Sequence, residues 1–213
     1  MRLALLAFLL VCLPLVGALS EEPRFLSQPY VAVRGGWSNL RDMPVDYHHD
    51  AKPDRDIGFD NGWLAGLAVG TQPRDWLRVE LELSHRQHEV ALVMPGSGAG
   101  GSAGATAGMV NAYLDIPTGG RFTPYFGIGI GAASLAQQDV RADGTVFTDD
   151  RSWAFAYQAM AGVSARLAPL WSSSLEYRWF GTSSPVFSDR EGYFYDSETR
   201  AHALVVGVTR SLW

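Results

Sequence analysis

Beyond residue 27, apolar and polar positions alternate with a period of two over most of the chain, the spacing of strands whose two faces meet different surroundings. The clearest run starts at Leu77. Leu77, Val79, Leu81 and Leu83 point one way, and Arg78, Glu80, Glu82, Ser84 and Arg86 point the other. Two strands precede it. Over Gln28–Ser38, Val31, Val33, Gly35 and Trp37 oppose Tyr30, Ala32, Arg34 and Gly36; over Phe59–Thr71, Trp63, Ala65, Leu67 and Val69 oppose Gly62, Gly66, Ala68 and Gly70. A fourth strand, Ala107–Ile116, sets Val110, Ala112, Leu114 and Ile116 against Met109, Asn111, Tyr113 and Asp115. In the fifth, Phe122, Pro124, Phe126, Ile128 and Ile130 oppose Tyr125, Gly127, Gly129 and Gly131. Trp153–Phe180 reads as an antiparallel hairpin turning at Ala168-Pro169-Leu170, with Glu176 and Arg178 on its polar face, and Arg200–Trp213 is the eighth strand.

The connections alternate between long and short. Asn39–Ile57, the glycine-rich Pro95–Gly104, Gln137–Arg151 and Ser183–Thr199 are the long ones; Gln72–Asp75, Pro117–Gly120 and Ala168–Leu170 are short turns. Eight antiparallel strands with this asymmetry match an all-β transmembrane barrel with short periplasmic turns and long outer loops. A soluble sandwich or a lipocalin-like carrier alternates too, so other features must decide. The tryptophans form two sets at strand ends: Trp37, Trp63, Trp153 and Trp179 toward the long connections, Trp76, Trp171 and Trp213 toward the short ones, as in two interfacial belts. The row Gly127, Gly129, Gly131 would leave a void in a sandwich core, but in a lumen it makes room for large polar side chains from across the barrel.

The inward face then carries Arg34, Arg78, Arg86 and Arg178 with Glu80, Glu82, Asp115 and Glu176, a balanced set expected to form a structural ion-pair network, joined by Tyr113, Tyr125 and Gln158. An interior of eight strands is just wide enough for side chains to fill, so small-ion leakage is the most permeability expected. On the lipid face an Arg or Lys at the midplane would cost about 2 to 4 kcal/mol, which fixes the parity.

Composition adds an address. Arg2 followed by the apolar run Leu3–Leu19, with Gly17, Ala18 and Ser20 at its end, reads as a signal peptide over residues 1–20, leaving 21–213 as one barrel domain. The single cysteine, Cys12, lies in the leader, so the mature protein is expected to lack disulfides. A net charge of -5, with Lys52 the only lysine, argues against a nucleic-acid partner.

Four segments resemble the eight-stranded outer-membrane barrels of the opacity-protein, OmpA-like and surface-antigen group. They are Asn111–Asp115, Phe122–Gly131, Phe155–Gly162 and Leu175–Phe180. The resemblance spans roughly Pro29–Trp213 and implies a Gram-negative outer-membrane location, insertion by the barrel-assembly machinery, and a surface role in adhesion, immune exposure or envelope integrity. It implies outer-membrane lipid as surroundings, a monomer, and outer loops open to an extracellular protein or host-surface ligand. The C-terminus departs from the family's ending. Gly207 and Val208 fit, but Arg210 stands in the aromatic place, Leu212 in the Phe place, and Trp213 lies one beyond.

Candidate chemistry is sparse. Some barrels of this size modify lipid A with Ser, His and an acid, which draws attention to Ser84, His85, His88 and His202. Ser84 and His85 are neighbours on one strand, so they face opposite sides and cannot work as nucleophile and base together. Interfacial histidines are the expectation. The first long loop gathers Asp42, Asp46, His48, His49, Asp50, Asp54, Asp56 and Asp60 without calcium-loop or ordered histidine spacing, and reads as a solvated acidic loop. No catalytic, metal or cofactor residue is nominated. The expected role is structural or surface-interacting, with an outer-leaflet lipid-modifying enzyme or a soluble periplasmic carrier as the alternatives.

Overall fold

In the computed structural model, residues 28–40, 43–47, 55–59, 61–94, 99–142, 145–183, 186–188, 194–196 and 199–212 are described. Among them are twelve strands: β1 (Pro29–Leu40), β2 (Met43–Tyr47), β3 (Arg55–Phe59), β4 (Gly62–Arg74), β5 (Leu77–Met94), β6 (Ala99–Asp115), β7 (Phe122–Ala142), β8 (Thr145–Ala168), β9 (Trp171–Thr182), β10 (Val186–Ser188), β11 (Phe194–Asp196) and β12 (Arg200–Ser211). Eight of these, β1, β4 to β9 and β12, form a closed antiparallel barrel. Closure is made by β1 and β12, which pair from Tyr30 with Ser211 to Leu40 with Ala201. With both chain ends locked to each other, no strand of the wall leaves an unpaired backbone edge in hydrocarbon.

The wall is built from the period-two pattern. Val33, Leu67, Leu83, Phe126, Ile128 and Leu175 stand exposed on its outside, whereas Arg34, Glu80, Glu82, Arg86, Glu176 and Arg178 are buried inside. This inverts the soluble arrangement, as an apolar solvent outside requires. Glycine at three inward positions of β7 lets the neighbouring strands fill the lumen. Gly129 pairs with Asn111 on β6 and Gln158 on β8, and a Cβ at Gly129 would collide with Asn111 Oδ1 and come to 3.0 Å from Gln158 Cγ. One at Gly127 would meet the Tyr113 ring at 2.5 Å and Met160 Cε at 2.9 Å.

The barrel ends differ as the connection lengths require, but the upper half departs from the sequence expectation. Asn39–Ile57, expected as a polar connection, holds β2 and β3, and β3 pairs with the upper end of β5. Pro95–Gly104 is not wholly a glycine-rich loop, because β6 begins at Ala99. Gln137–Arg151 is strand at both ends, with β7 running to Ala142 and β8 starting at Thr145. Ser183–Thr199 contains β10 and β11. The reason is that a strand rising past the membrane has water on both sides. It loses the apolar parity while backbone pairing, such as Val140 with Thr148, continues. The lower turns agree with the sequence to within a few residues: Asp75-Trp76, Ile116–Arg121 and Pro169-Leu170 separate the strands there.

Candidate functional site

The lumen concentrates the chain's buried charge. Glu80 and Glu82 lie on β5 two residues apart, so both side chains enter from one wall at successive levels. Arg34 reaches them from β1, donating from Nη1 and Nη2 to Glu80 at 2.6 and 2.7 Å and from Nη1 to Glu82 at 3.0 Å. Arg178, from β9 on the far side, donates from Nη2 to Glu82 at 3.0 Å, and from Nε and Nη2 to Glu176 at 3.0 and 2.8 Å. Glu82 thus bridges Arg34 and Arg178, and its bond to Arg178 spans the barrel from β5 to β9, a cross-brace of charge-assisted bonds. Tyr30 and Tyr125 hydroxyls donate to Glu80 at 3.2 Å and to Glu176 at 3.1 Å. Asn111 links Gln158, at 2.8 Å, to the Glu80–Glu82 pair at 3.4 Å.

Nearer the short turns, Arg78 forms a two-pronged pair with Asp115, both bonds 2.8 Å, and its guanidinium lies 4.7 Å from the Tyr113 ring centre and 4.9 Å from that of Tyr125. Arg86 behaves differently from its expected place in the ion-pair network. No carboxylate pairs with it among the described residues; its guanidinium sits 3.4 Å over the Phe180 ring, and its Nε and Nη2 have no hydrogen-bond partner. Phe180 and Leu64 supply apolar surface inside the lumen at this level. A Phe placed among acids and bases by parity alone gives no sequence sign of that stacking.

At the rims, Trp37, Trp63 and Trp153 stand exposed toward the long connections, with Trp179 half-buried beside Tyr157. Trp37 and Trp63 pair directly across β1 and β4. Toward the short turns Trp76 and Trp171 are exposed, each with an arginine 5.5 Å over its ring, Arg74 and Arg210 respectively. Trp213, residues 1–27 with Cys12, and His48, His49, Asp42, Asp50, Asp54 and Asp60 lie outside the described residues; for Asp46 and Asp56 only the strand backbone is described. His85 faces outward, 2.9 Å from Thr106 Oγ1 and with the Trp63 ring tilted against it at 5.5 Å, whereas Ser84 is buried inside. His202 meets the Tyr177 hydroxyl at 2.5 Å on the outer wall. The structure therefore separates Ser84 from His85 and His202, whereas His88 is buried on the same inward face of β5 four residues on, with the Ser84 hydroxyl and His88 Nε2 both without a hydrogen-bond partner; among the described residues no three His, Cys, Asp or Glu could hold a metal ion.

A family model described as the outer membrane protein beta-barrel domain matches residues 3–211. The chain belongs to this family. An uncharacterized protein of Brucella abortus is 28% identical to this outer-membrane barrel over 171 residues, 68% of the chain. The chain spans 58% of that relative's length. Among solved structures it is similar to the outer membrane protein OprG of Pseudomonas aeruginosa, with a TM-score of 0.61 at 14% identity, covering 88% of this chain and 99% of that one. It is also similar to the outer membrane protease OmpT of Escherichia coli, with a TM-score of 0.54 at 9% identity, covering 92% and 99%. At such identities the likeness is one of fold, and a fold shared with a protease leaves the chemistry to the residues.

Proposed function

We propose that this outer-membrane barrel is exported by its N-terminal leader, inserted by the barrel-assembly machinery as a monomer, and serves a structural or surface-interaction role through its outer loops. The observation that carries this reading is the filled lumen. Arg34, Glu80, Glu82, Tyr113, Glu176 and Arg178 meet across the barrel and are buried, which leaves a tube suited at most to small-ion passage. Both faces of the wall are thereby occupied, one by lipid and one by the plug, and recognition falls to the connections above it. A non-enzymatic role is favoured by the separation of Ser84, inside, from His85 and His202, outside, and by the lack of a hydrogen bond between Ser84 and His88, both shut inside the lumen away from lipid.

Three measurements test this. Vesicles reconstituted with the barrel are expected to exclude small sugars in a swelling assay; swelling in arabinose at the rate of an open porin would overturn the closed-lumen reading. Protease added to intact cells is expected to cut within residues 42–60 and leave the rest protected. Unaltered chain in intact cells, with cleavage only after lysis, would overturn surface exposure. Alanine at Ser84, His85, His88 and His202 is expected to leave the lipid A mass spectrum unchanged, and a shifted spectrum would restore the enzyme alternative.

A further inference from the structure

Charge in the lumen is balanced in number but not in pairing. The four carboxylates Glu80, Glu82, Asp115 and Glu176 are all engaged by Arg34, Arg78 and Arg178, and the fourth arginine, Arg86, is left without one. Arg86 is only 2% exposed, so water at the surface does not solvate it. The Phe180 ring covers one face of its guanidinium, yet the N–H groups at Nε and Nη2 point along the plane, away from what a ring can satisfy. Two residues earlier on the same inward face of β5, the Ser84 hydroxyl is buried and equally without a partner.

These orphan groups sit in one place. Ser84, Arg86 and His88 follow one another along β5, and opposite them β4 presents Gly66, Leu64 and Gly62. A Cβ on Gly66 would lie in ordinary contact at 3.4 Å from Ser84, so β4 offers no polar side chain to answer them. His88 holds a backbone hydrogen bond to Ser38, while its Nε2 and the Ser38 hydroxyl have no partner. Further up, Leu40, Ala103 and Ala201 form an apolar cluster across the mouth. A buried permanent cation with free N–H groups, next to a free hydroxyl and roofed by apolar side chains, calls for a small negative ligand.

We propose that the outer half of the lumen binds a small monovalent inorganic anion of the chloride type, held by Arg86 Nε and Nη2 and by the Ser84 hydroxyl. These two side chains donate in every accessible protonation state, which His88 does not. The near-complete burial of Arg86, Ser84 and Phe180 closes the site to bulky solutes, excluding sugar phosphates and lipid headgroups. The ligand supplies the local hydrogen-bond partner that the carboxylates, all engaged by the other three arginines, do not give Arg86. The inference rests on the closed lumen and is independent of what the loops recognise.

The test uses the full-length mature barrel folded in phosphatidylcholine vesicles, in sodium chloride or sodium gluconate at equal ionic strength. Chloride at ten times its dissociation constant is expected to raise the folded-to-unfolded ratio about elevenfold. Arg86→Met is expected to abolish the difference between the salts, and Ser84→Ala to weaken it several-fold while leaving stability in gluconate near the wild type. Crystals grown in bromide are expected to show an anomalous peak beside Arg86. Equal stability in the two salts, a chloride response that survives Arg86→Met, or bromide confined to the outer surface would each overturn the proposal. Should Arg86→Met fail to fold, the Ser84→Ala salt response and the bromide map decide it.

Discussion

Glu82 is the position at which the lumen network can be measured most directly, because it is the one carboxylate bridging opposite walls. Glu82→Gln keeps the shape and removes the charge. One carboxylate oxygen becomes an NH2 that cannot accept, so only part of the bonding to Arg34 and Arg178 at this position survives, while Arg34 retains Glu80 at 2.6 and 2.7 Å and Arg178 retains Glu176 at 3.0 and 2.8 Å. Removing one partner of a buried pair costs about 3 to 5 kcal/mol. Since each arginine keeps a second carboxylate, the lower end applies. About 3 kcal/mol is expected, which is roughly a 150-fold fall in the folding equilibrium at 1.4 kcal/mol per tenfold. Arg178→Met leaves Glu176 without an arginine and Glu82 with Arg34 alone, and should cost about 5 kcal/mol. The double variant Glu82→Gln/Arg178→Met should cost less than the two single costs added, because the shared bond is lost only once. Urea titration in vesicles, read by tryptophan fluorescence and by the shift in gel mobility between unboiled and boiled samples, gives these values. A Glu82→Gln cost below about 1 kcal/mol, or costs that add to within about 0.5 kcal/mol, would refute the claim that the two walls are braced through this carboxylate.

Two further outcomes follow from the same geometry. Leu81→Arg, on the lipid face between the two tryptophan sets, should destabilise the barrel by about 2 to 4 kcal/mol in the same titration. Gly129→Val should cost about 1 to 3 kcal/mol by overpacking and should break the Asn111–Gln158 bond, seen as loss of the low-temperature protected amide signals of those side chains in NMR spectra of the labelled barrel.

The wall was legible because two solvents act on it at every residue. Leu81 and Glu80 differ by one position and by the whole choice between hydrocarbon and lumen, so the sequence cannot be ambiguous there. The upper strands were not legible for the converse reason. Past Gln137, residues such as Gln137, Gln138 and Arg141 carry no apolar alternation in the sequence even though the backbone ladder continues. Within the lumen, the sequence shows which side chains enter but not which of them meet. Strand stagger sets the level of each residue, and it placed Arg178 against Glu82, ninety-six residues away, while carrying Arg86 past every carboxylate to Phe180. Register across the closed sheet, rather than residue type, makes that distinction.

The unusual ending of the last strand can be understood at the same level. Arg210 occupies an outward position of β12 where the resemblance leads one to expect an aromatic ring, and the adjacent strand supplies the ring instead: Trp171 on β9 pairs with Arg210 and lies 5.5 Å beneath its guanidinium. The same arrangement recurs at the turn between β4 and β5, where Arg74 covers Trp76 at 5.5 Å. In both, the ring takes the apolar side of the interface and the cation the wet side, since an arginine keeps its charged head in water while its stem lies along an aromatic face. An aromatic belt therefore needs ring surface at a given depth, not a ring at a given strand position. A cross-strand tryptophan with an arginine upon it meets that need. The exposed Arg121 and Arg166 stand at the remaining two short turns, Arg121 Nε donating to the Arg166 carbonyl at 2.9 Å, so the end of the barrel that carries the termini is rimmed by arginine. The long connections, by contrast, carry Asp42, Asp46, Asp50, Asp54, Asp56 and Asp60 in the first of them alone. Charge as well as length thus separates the two rims, and a barrel turned end for end would exchange both.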